Sequence, residues 1–317
     1  MSKIDWIRVG KFGFFCEDGG FYLDPKRSTR RAVISHAHAD HYPRYMGEVH
    51  AHPHTIDLAT ARYKTNAGKD QHRHEFHAPF QLGDIEVTLL PAGHMLGSSQ
   101  ILLYHTKKKQ RVLYSGDFAL NPNPSCKPLD YPDVPIDLLI CESTFGLKGQ
   151  HKDPDASLLE TIQGTELPLL VVAYPMGKAQ RVNEMLQRLV PELPVLIDRS
   201  ILPFHRVYES AGIALGNFHP YQRKLGKAGK FVHIIPPRNL SGYSRDIKYF
   251  KVFASGWNKK KKFYYLQSQL DISDHASGDE IRTYLTKVKP RQVWFWHGYP
   301  EDLIQFCSET GIDAKAV

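Results

Sequence analysis

Ala32-Val33-Ile34-Ser35-His36-Ala37-His38-Ala39-Asp40-His41 is a short apolar, β-rich run that empties into four potential metal ligands at offsets of zero, two, four and five. The apolar triplet reads as a buried strand, and the histidine-rich residues behind it as a loop at a sheet edge. Neutral imidazoles and carboxylates suit zinc and related first-row divalent ions. Packed this closely without an ion, the same groups would crowd polar atoms that each need a partner. A lone loop histidine is ordinarily a solvated side chain or a cap, but an ordered His-x-His-x-Asp-His behind an apolar strand is not explained that way.

Three further stretches repeat the order of strand and then polar loop. Pro91-Ala92-Gly93-His94 follows Val87-Thr88-Leu89-Leu90, and its glycine lets the backbone approach a crowded centre. Ser115-Gly116-Asp117 follows Val112-Leu113-Tyr114, and His297-Gly298 follows Val293-Trp294-Phe295-Trp296. Together with the opening motif these supply seven ligands, enough for two divalent ions sharing a carboxylate. Counting assigns His36, His38 and His94 to a first ion, Asp40, His41 and His297 to a second, and Asp117 to the bridge. Such a pair, about 3.5 to 4 Å apart, can activate a water and stabilise both oxygens of an in-line displacement at phosphorus. Zinc suits this donor set best, with manganese or magnesium as alternatives. Asp24, between Phe21-Tyr22-Leu23 and Pro25, reads either as a carboxylate orienting the histidine loop or as a turn aspartate before proline.

At 317 residues and 42% hydrophobic content the chain is long enough for one large core or two closely packed domains. No run approaches the roughly 18 apolar residues of a membrane span, and the start, Met1-Ser2-Lys3-Ile4-Asp5, has no signal-peptide apolar region, so a cytoplasmic protein is expected. Cys16, Cys126, Cys141 and Cys307 are scattered, which argues for reduced thiols and against a disulfide framework or zinc ribbon. The net charge of +8 favours an anionic partner such as nucleic acid. Lys107-Lys108-Lys109 and Lys259-Lys260-Lys261-Lys262 read as hairpin tips that could also rim a phosphate track. Of the 17 histidines, His50, His52, His54, His72, His74, His77, His105, His151, His205, His219 and His233 have no spacing partner and read as surface or loop residues. Those around 50 to 54 and 72 to 77 are weak adventitious metal sites.

The first 145 residues read as short strands at 21–23, 31–35, 85–90, 100–104, 111–115 and 138–141, with one amphipathic helix over 55–66. From about Ser157 helix and buried strand alternate: helix 158–164, strand 169–173, helix 179–189, strand 195–197. That alternation indicates a parallel sheet with covered faces. Strand-rich character returns near Val252, through Phe263-Tyr264-Tyr265-Leu266 and Val293-Trp294-Phe295-Trp296. The expected organisation is therefore a first domain over 1–150, an insertion over 151–252, and the first domain's C-terminal part over 253–317.

The motif His36-Ala37-His38-Ala39-Asp40-His41, with His94, Asp117 and His297 in that order, resembles the metallo-β-lactamase fold, an αββα sandwich with a dinuclear site at one edge of its two sheets. Glu142-Ser143-Thr144-Phe145-Gly146 and Ser273-Asp274-His275-Ala276 look like the additional motifs of the β-CASP nucleases, which carry an inserted α/β domain. Gly177-Lys178-Ala179-Gln180-Arg181 and Ser255-Gly256-Trp257 also look like stretches characteristic of that group. The Phe21-Tyr22-Leu23-Asp24-Pro25 opening, Pro91-Ala92-Gly93-His94-Met95-Leu96-Gly97-Ser98 and the compact length most resemble the bacterial ligase-associated DNA exonucleases. That resemblance implies a DNA exonuclease in repair, functionally associated with a ligase and a helicase. A histidine at the position of His297 is associated with RNA-cleaving members, so an RNA-processing nuclease is the alternative.

Phosphodiester hydrolysis needs a nucleophile, charge stabilisation at the nonbridging oxygens, and a proton for the leaving alkoxide. Asp40 belongs to the metal set, and His275 is the candidate acid, since imidazole titrates near neutrality. The resemblance implies that Glu142 is its carboxylate partner. His275 could instead be a helix N-terminal residue beside a capping Asp274. Lys178 and Arg181, at a helix start after a strand and a glycine, are candidates for a substrate phosphate, with a solvated first-turn residue as the plain alternative. Tyr243, Tyr264 and Tyr265 could stack on bases, although strand packing explains them as well. A small-molecule metallo-hydrolase would leave the insertion, Glu142 and His275 without roles, and a metal-free nucleic-acid-binding module would leave a whole ligand set idle.

Overall fold

The computed structural model describes residues 4–147, 149, 151–222, 229–243, 247–256 and 266–317. The chain forms two compact units, Met1–Gln150 with His275–Val317, and His151–Asp274.

The first unit opens with a sheet whose spatial order follows the chain: β1 (Ile7–Gly10), β2 (Gly13–Cys16), β3 (Phe21–Leu23), β4 (Arg31–Val33), β5 (Glu48–Ala51) and, after helix α1 (Pro53–Tyr63), β6 (Asp70–Arg73). The second sheet is laid down by β7 (Phe80–Leu82), β8 (Ile85–Pro91), β9 (Ser99–His105), β10 (Gln110–Tyr114) and β11 (Leu138–Glu142). Because β8, β9 and β10 alternate in direction and β11 runs parallel to β10, the strands β8, β10 and β11 all end at the same edge.

The second unit contains α2 (Pro154–Gln163), β12 (Leu169–Val172), α3 (Lys178–Leu189), β13 (Val195–Ile197), α4 (Leu202–Ser210), β14 (Phe218–Pro220), β15 (Val232–Ile235), β16 (Phe250–Ala254) and β17 (Ser268–Leu270). Its sheet is parallel, in the order β14-β13-β15-β12-β16-β17. Leu169 and Val171 face one apolar cluster and Leu170 and Val172 the other, the continuous apolar run required of a strand covered on both faces.

The return to the first unit comprises α5 (Gly278–Val288), β18 (Gln292–Trp296), α6 (Glu301–Glu309) and β19 (Asp313–Ala316). A capping box starts α5: the Ser277 hydroxyl accepts from the Glu280 amide, and the Glu280 carboxylate accepts from the Ser277 amide. β18 enters the second sheet between β11 and β19, parallel to both. Alternation along these strands builds two layers. Val112, Tyr114, Leu138, Ile140 and Trp294 join Phe14, Phe21 and Val33 between the sheets. Leu113, Leu139, Cys141, Val293 and Phe295 pack outward on Ile281, Tyr284 and Leu285 of α5 and Leu303 and Cys307 of α6. The result is the expected αββα sandwich, with an α/β unit inserted between β11 and α5.

Three expectations are corrected. The inserted unit runs to Asp274 rather than ending at 252, because β16 pairs onto β12 and β17 onto β16. A strand-rich pattern has no mark that says which sheet it joins. His50, His52, His105, His205 and His233 are buried, not surface residues. Asp274 is not the cap of α5, since Ser277 takes that place. Lys107-Lys108-Lys109 does form the tip between β9 and β10. Lys259-Lys260-Lys261-Lys262, Trp257, Phe263, Tyr264 and Tyr265 lie outside the described residues. Among the described residues no helix is long and apolar enough to cross a membrane.

Candidate metal centre

The site is assembled at the carboxyl ends of β4, β8, β10 and β11. After β4 the chain closes a tight turn in which the His41 and Tyr42 amides both donate to the His38 carbonyl, at 3.1 and 2.7 Å. This turn folds the four-ligand motif back on itself. His36 Nε2 stands 3.1 Å from His38 Nδ1, and His94 Nε2, arriving after β8, stands 3.2 Å from the same atom. Two glycines permit the crowding. A Cβ on Gly116 (φ +54°) would lie 2.7 Å from the Ser35 Cβ, and one on Gly93 (φ +76°) would lie 2.4 Å from the Ala119 carbonyl oxygen.

Asp117, just after β10, is the common point. Its Oδ2 lies 3.4 Å from His41 Nε2, 3.5 Å from His36 Nε2, and 4.0 Å from both His94 Nε2 and His275 Nε2. A tetrahedral zinc with bonds of about 2.0 to 2.1 Å places its donors about 3.3 Å apart. His36, His38, His94 and Asp117, whose donor atoms all lie within 4.8 Å of one another, therefore fit one divalent ion with little rearrangement. His41 shares Asp117 with them but faces a different neighbour. Asp40 Oδ2 is 3.9 Å from His41 Nε2 on a side chain that is 82% exposed. His297 is also exposed, its ring against Trp296 at 4.4 Å. The four-residue cluster is thus drawn together without Asp40 and His297, which sit outside it.

Asp24 is held at φ +38° immediately after β3. One of its carboxylate oxygens accepts the Ser35 amide at 2.7 Å, and the other accepts the Ser35 hydroxyl and lies 2.8 Å from His41 Nδ1. It is at once the turn aspartate and the residue that aims His41, which leaves Nε2 for the centre. Ser35, whose hydroxyl also lies 2.9 Å from His36 Nδ1, joins Asp24 to the histidine loop and is a residue that the motif's spacing does not single out. Its place between the strand and the first histidine is the signal that could have found it.

The electrostatics are those of a cation site. Burial and the charge of His41 hold His36 well below the usual imidazole range. Burial opposes charging of His41, but Asp117 and Asp24 hold it well above that range. Asp117, against the pull of burial, is kept well below the usual carboxylate range by the surrounding histidines, His41 first.

A second array adjoins the first. Glu142, at the end of β11, is buried, and its Oε1 accepts the Phe118 amide at 2.7 Å. His275 Nδ1 lies 3.0 Å from Glu142 Oε2, which turns Nε2 toward Asp117.

Lys178 and Arg181 belong to the second unit. Both are buried and committed to Asp274: Lys178 Nζ at 2.7 Å from Oδ2, and Arg181 Nη1 at 2.8 Å from Oδ1. Burial lowers the Lys178 ammonium to about 8. Neither is a solvated first-turn residue, and their donors also bind the carbonyls of Ile272 and Ser273. Tyr243 donates its hydroxyl to Asp198 at 2.8 Å.

Residues 267–317 match the family of Zn-dependent metallo-hydrolase RNA specificity domains (RMMBL). Over 98% of its length the chain is 32% identical to a protein of Opitutus terrae named "Probable DNA ligase", of which it spans 31%. Over 58% of its length it is 28% identical to an "RNase J-like protein" of Methanocaldococcus jannaschii, of which it spans 51%. The chain therefore covers at most about half of either relative. Among solved structures, a protein of unknown function from Enterococcus faecalis V583 has the same fold, with a TM-score of 0.63 at 12% identity over 90% of this chain and 78% of that one.

Proposed function

Because the chain belongs to the metallo-β-lactamase/β-CASP nuclease family, we propose that it is a metal-dependent phosphodiesterase that degrades DNA from an end, in repair. The observation that carries the hydrolytic reading is the position of Asp117 Oδ2, within 4.0 Å of four imidazoles. His36, His38, His94 and Asp117 would hold one divalent ion, most simply zinc, and Asp40, His41 and His297 a second that shares Asp117. When bound, such ions supply charge stabilisation at the phosphate oxygens and make a nearby water more acidic.

The chain's own groups do the rest. His275, anchored through Nδ1 on Glu142, presents Nε2 to the centre and hands a proton to the leaving alkoxide. Glu142 fixes the ring's orientation, while the Phe118 amide fixes Glu142. Asp24 orients His41 in the same way. Lys178 and Arg181 are assigned no phosphate, since both are buried on Asp274.

Likeness across 98% of the chain to a relative named for DNA ligation supports DNA, and with it a functional association with a ligase. RNA is the second reading. The matched segment over 267–317, which contains His275 and His297, carries a description naming RNA specificity. Digestion of end-labelled DNA and RNA, with and without a 5′-phosphate, across zinc, manganese and magnesium tests both. Loss of labelled DNA from one end, abolished by Asp117→Ala, is expected. Turnover of RNA alone would shift the substrate, and intact strands of both kinds under every metal would overturn the hydrolytic reading.

A further inference from the structure

The parallel register of β5 and β6 sets His50 opposite His72 and Glu48 opposite Asp70. Period-two alternation then places Glu48, His50, His72 and His74 on one face. There the imidazoles form a stack, with His50 and His72 rings 4.5 Å apart at 9°, and Phe80 of β7 lies on His74 at 3.5 Å and 10°. The cluster thus sits where β5 and β6 of one sheet meet the first strand of the other, and it shares no residue with the centre around Asp117.

Its polar atoms converge. Glu48 Oε1 is 2.9 Å from His50 Nε2 and 3.8 Å from His72 Nε2, and one donor atom from each of the three lies within 4.8 Å of the others. These separations bracket the roughly 3.3 Å between donors of a tetrahedral zinc. His50 is buried while His72 remains exposed, so an ion has both an anchored ligand and an entry path. Two contacts already serve as supports of the kind ligating residues use. Arg31 Nε holds the other Glu48 oxygen at 2.7 Å, and His50 Nδ1 is 2.9 Å from His74 Nε2. The His50–His74 contact works with the proton on either nitrogen. With the proton on Nε2, His50 donates to Glu48 Oε1 at 2.9 Å, and a divalent ion would take that proton's place between the two atoms.

We infer that Glu48, His50 and His72 form a second, peripheral site for a borderline divalent ion of the zinc, cobalt or nickel class. It ties the edge strand β6 to β5 beneath Phe80 and leaves one coordination position to solvent.

The test titrates metal-free full-length protein with cobalt(II), read by its tetrahedral visible absorption, and with zinc against a chromogenic chelator, for the parent, His72→Ala and His72→Cys. The parent is expected to bind one ion more than His72→Ala, and His72→Cys, which restores a donor, to recover it. Zinc should raise the thermal midpoint of the parent more than that of His72→Ala, and phosphodiester hydrolysis at saturating metal should be the same in both. Equal ion counts and affinities in the parent and His72→Ala would overturn the proposal, whether or not the Asp117 centre proves hydrolytic.

Discussion

His275 Nδ1 lies 3.0 Å from Glu142 Oε2, and the other oxygen of that carboxylate accepts the Phe118 amide at 2.7 Å. The His275 ring is therefore held from behind while Nε2 faces Asp117. Glu142→Gln is expected to lower kcat by about 10² to 10⁴-fold with metal content unchanged, the range for a positioned acid. His275→Ala should match it, and the double variant should cost no more than either single one, because the two act as a unit. Single-turnover rates with metal analysis on each variant check this. Additive losses would mean that the pair does not act as one.

Asp24 meets the centre through His41 and Ser35. Asp24→Ala should weaken metal binding by about 10 to 100-fold, as loss of a supporting carboxylate does. Competition titration with a chelator reads this directly. Asp24→Asn, which can still receive the Ser35 amide, should fall between.

His41 is held well above the usual imidazole range in the metal-free chain by Asp117 and Asp24, against burial. Any ion that uses it must displace a proton, so apparent metal affinity should fall as pH drops. Calorimetry in buffers of differing ionisation heat should register proton release on binding. Release should diminish in Asp24→Asn, where one of the charges raising His41 is gone.

In the second unit burial holds His205 down to about 3 and His233 down to about 4. The unfolded chain takes up their protons near pH 6.5 and the folded one resists, so stability is lost as pH falls from about 6.5 toward about 4. The expected loss is on the order of 3 kcal/mol per group by pH 4. Urea midpoints between pH 7 and 4 measure it, and His233→Phe should flatten the slope.

Arg181 and Lys178 share Asp274 in a buried triad. Arg181→Ala should cost about 1 to 3 kcal/mol in stability by removing the donor to the Ser273 carbonyl and to Asp274 Oδ1, while Lys178 still balances the Asp274 charge. A rise in KM with an unchanged denaturation midpoint would instead point to a substrate contact.

The sandwich was legible because its strands alternate or run continuously apolar, and the centre because its ligands follow those strands. Residues 195–197 were expected as a strand and are one, and the helix expected over 55–66 is α1 with a short 3-10 turn after it. What escaped was partnership. Nothing in Lys178 or Arg181 announces Asp274, more than ninety positions away. Nor do His50 and His72 show, as isolated letters, that a parallel register sets them opposite each other. The end of the insertion was misplaced for the same reason, since Val252 would look alike in either sheet.

β18 is written last among the interior strands yet lies between β11 and β19, not at a rim. A ribosome making this chain completes His151 to Asp274 before it reaches Gln292. During that interval β11 presents a bare, apolar edge, the kind that captures strands from other molecules. The first unit, although it begins the chain, must therefore finish folding after the second, and a protein cut short at Asp274 should be lost to aggregation rather than merely inactive.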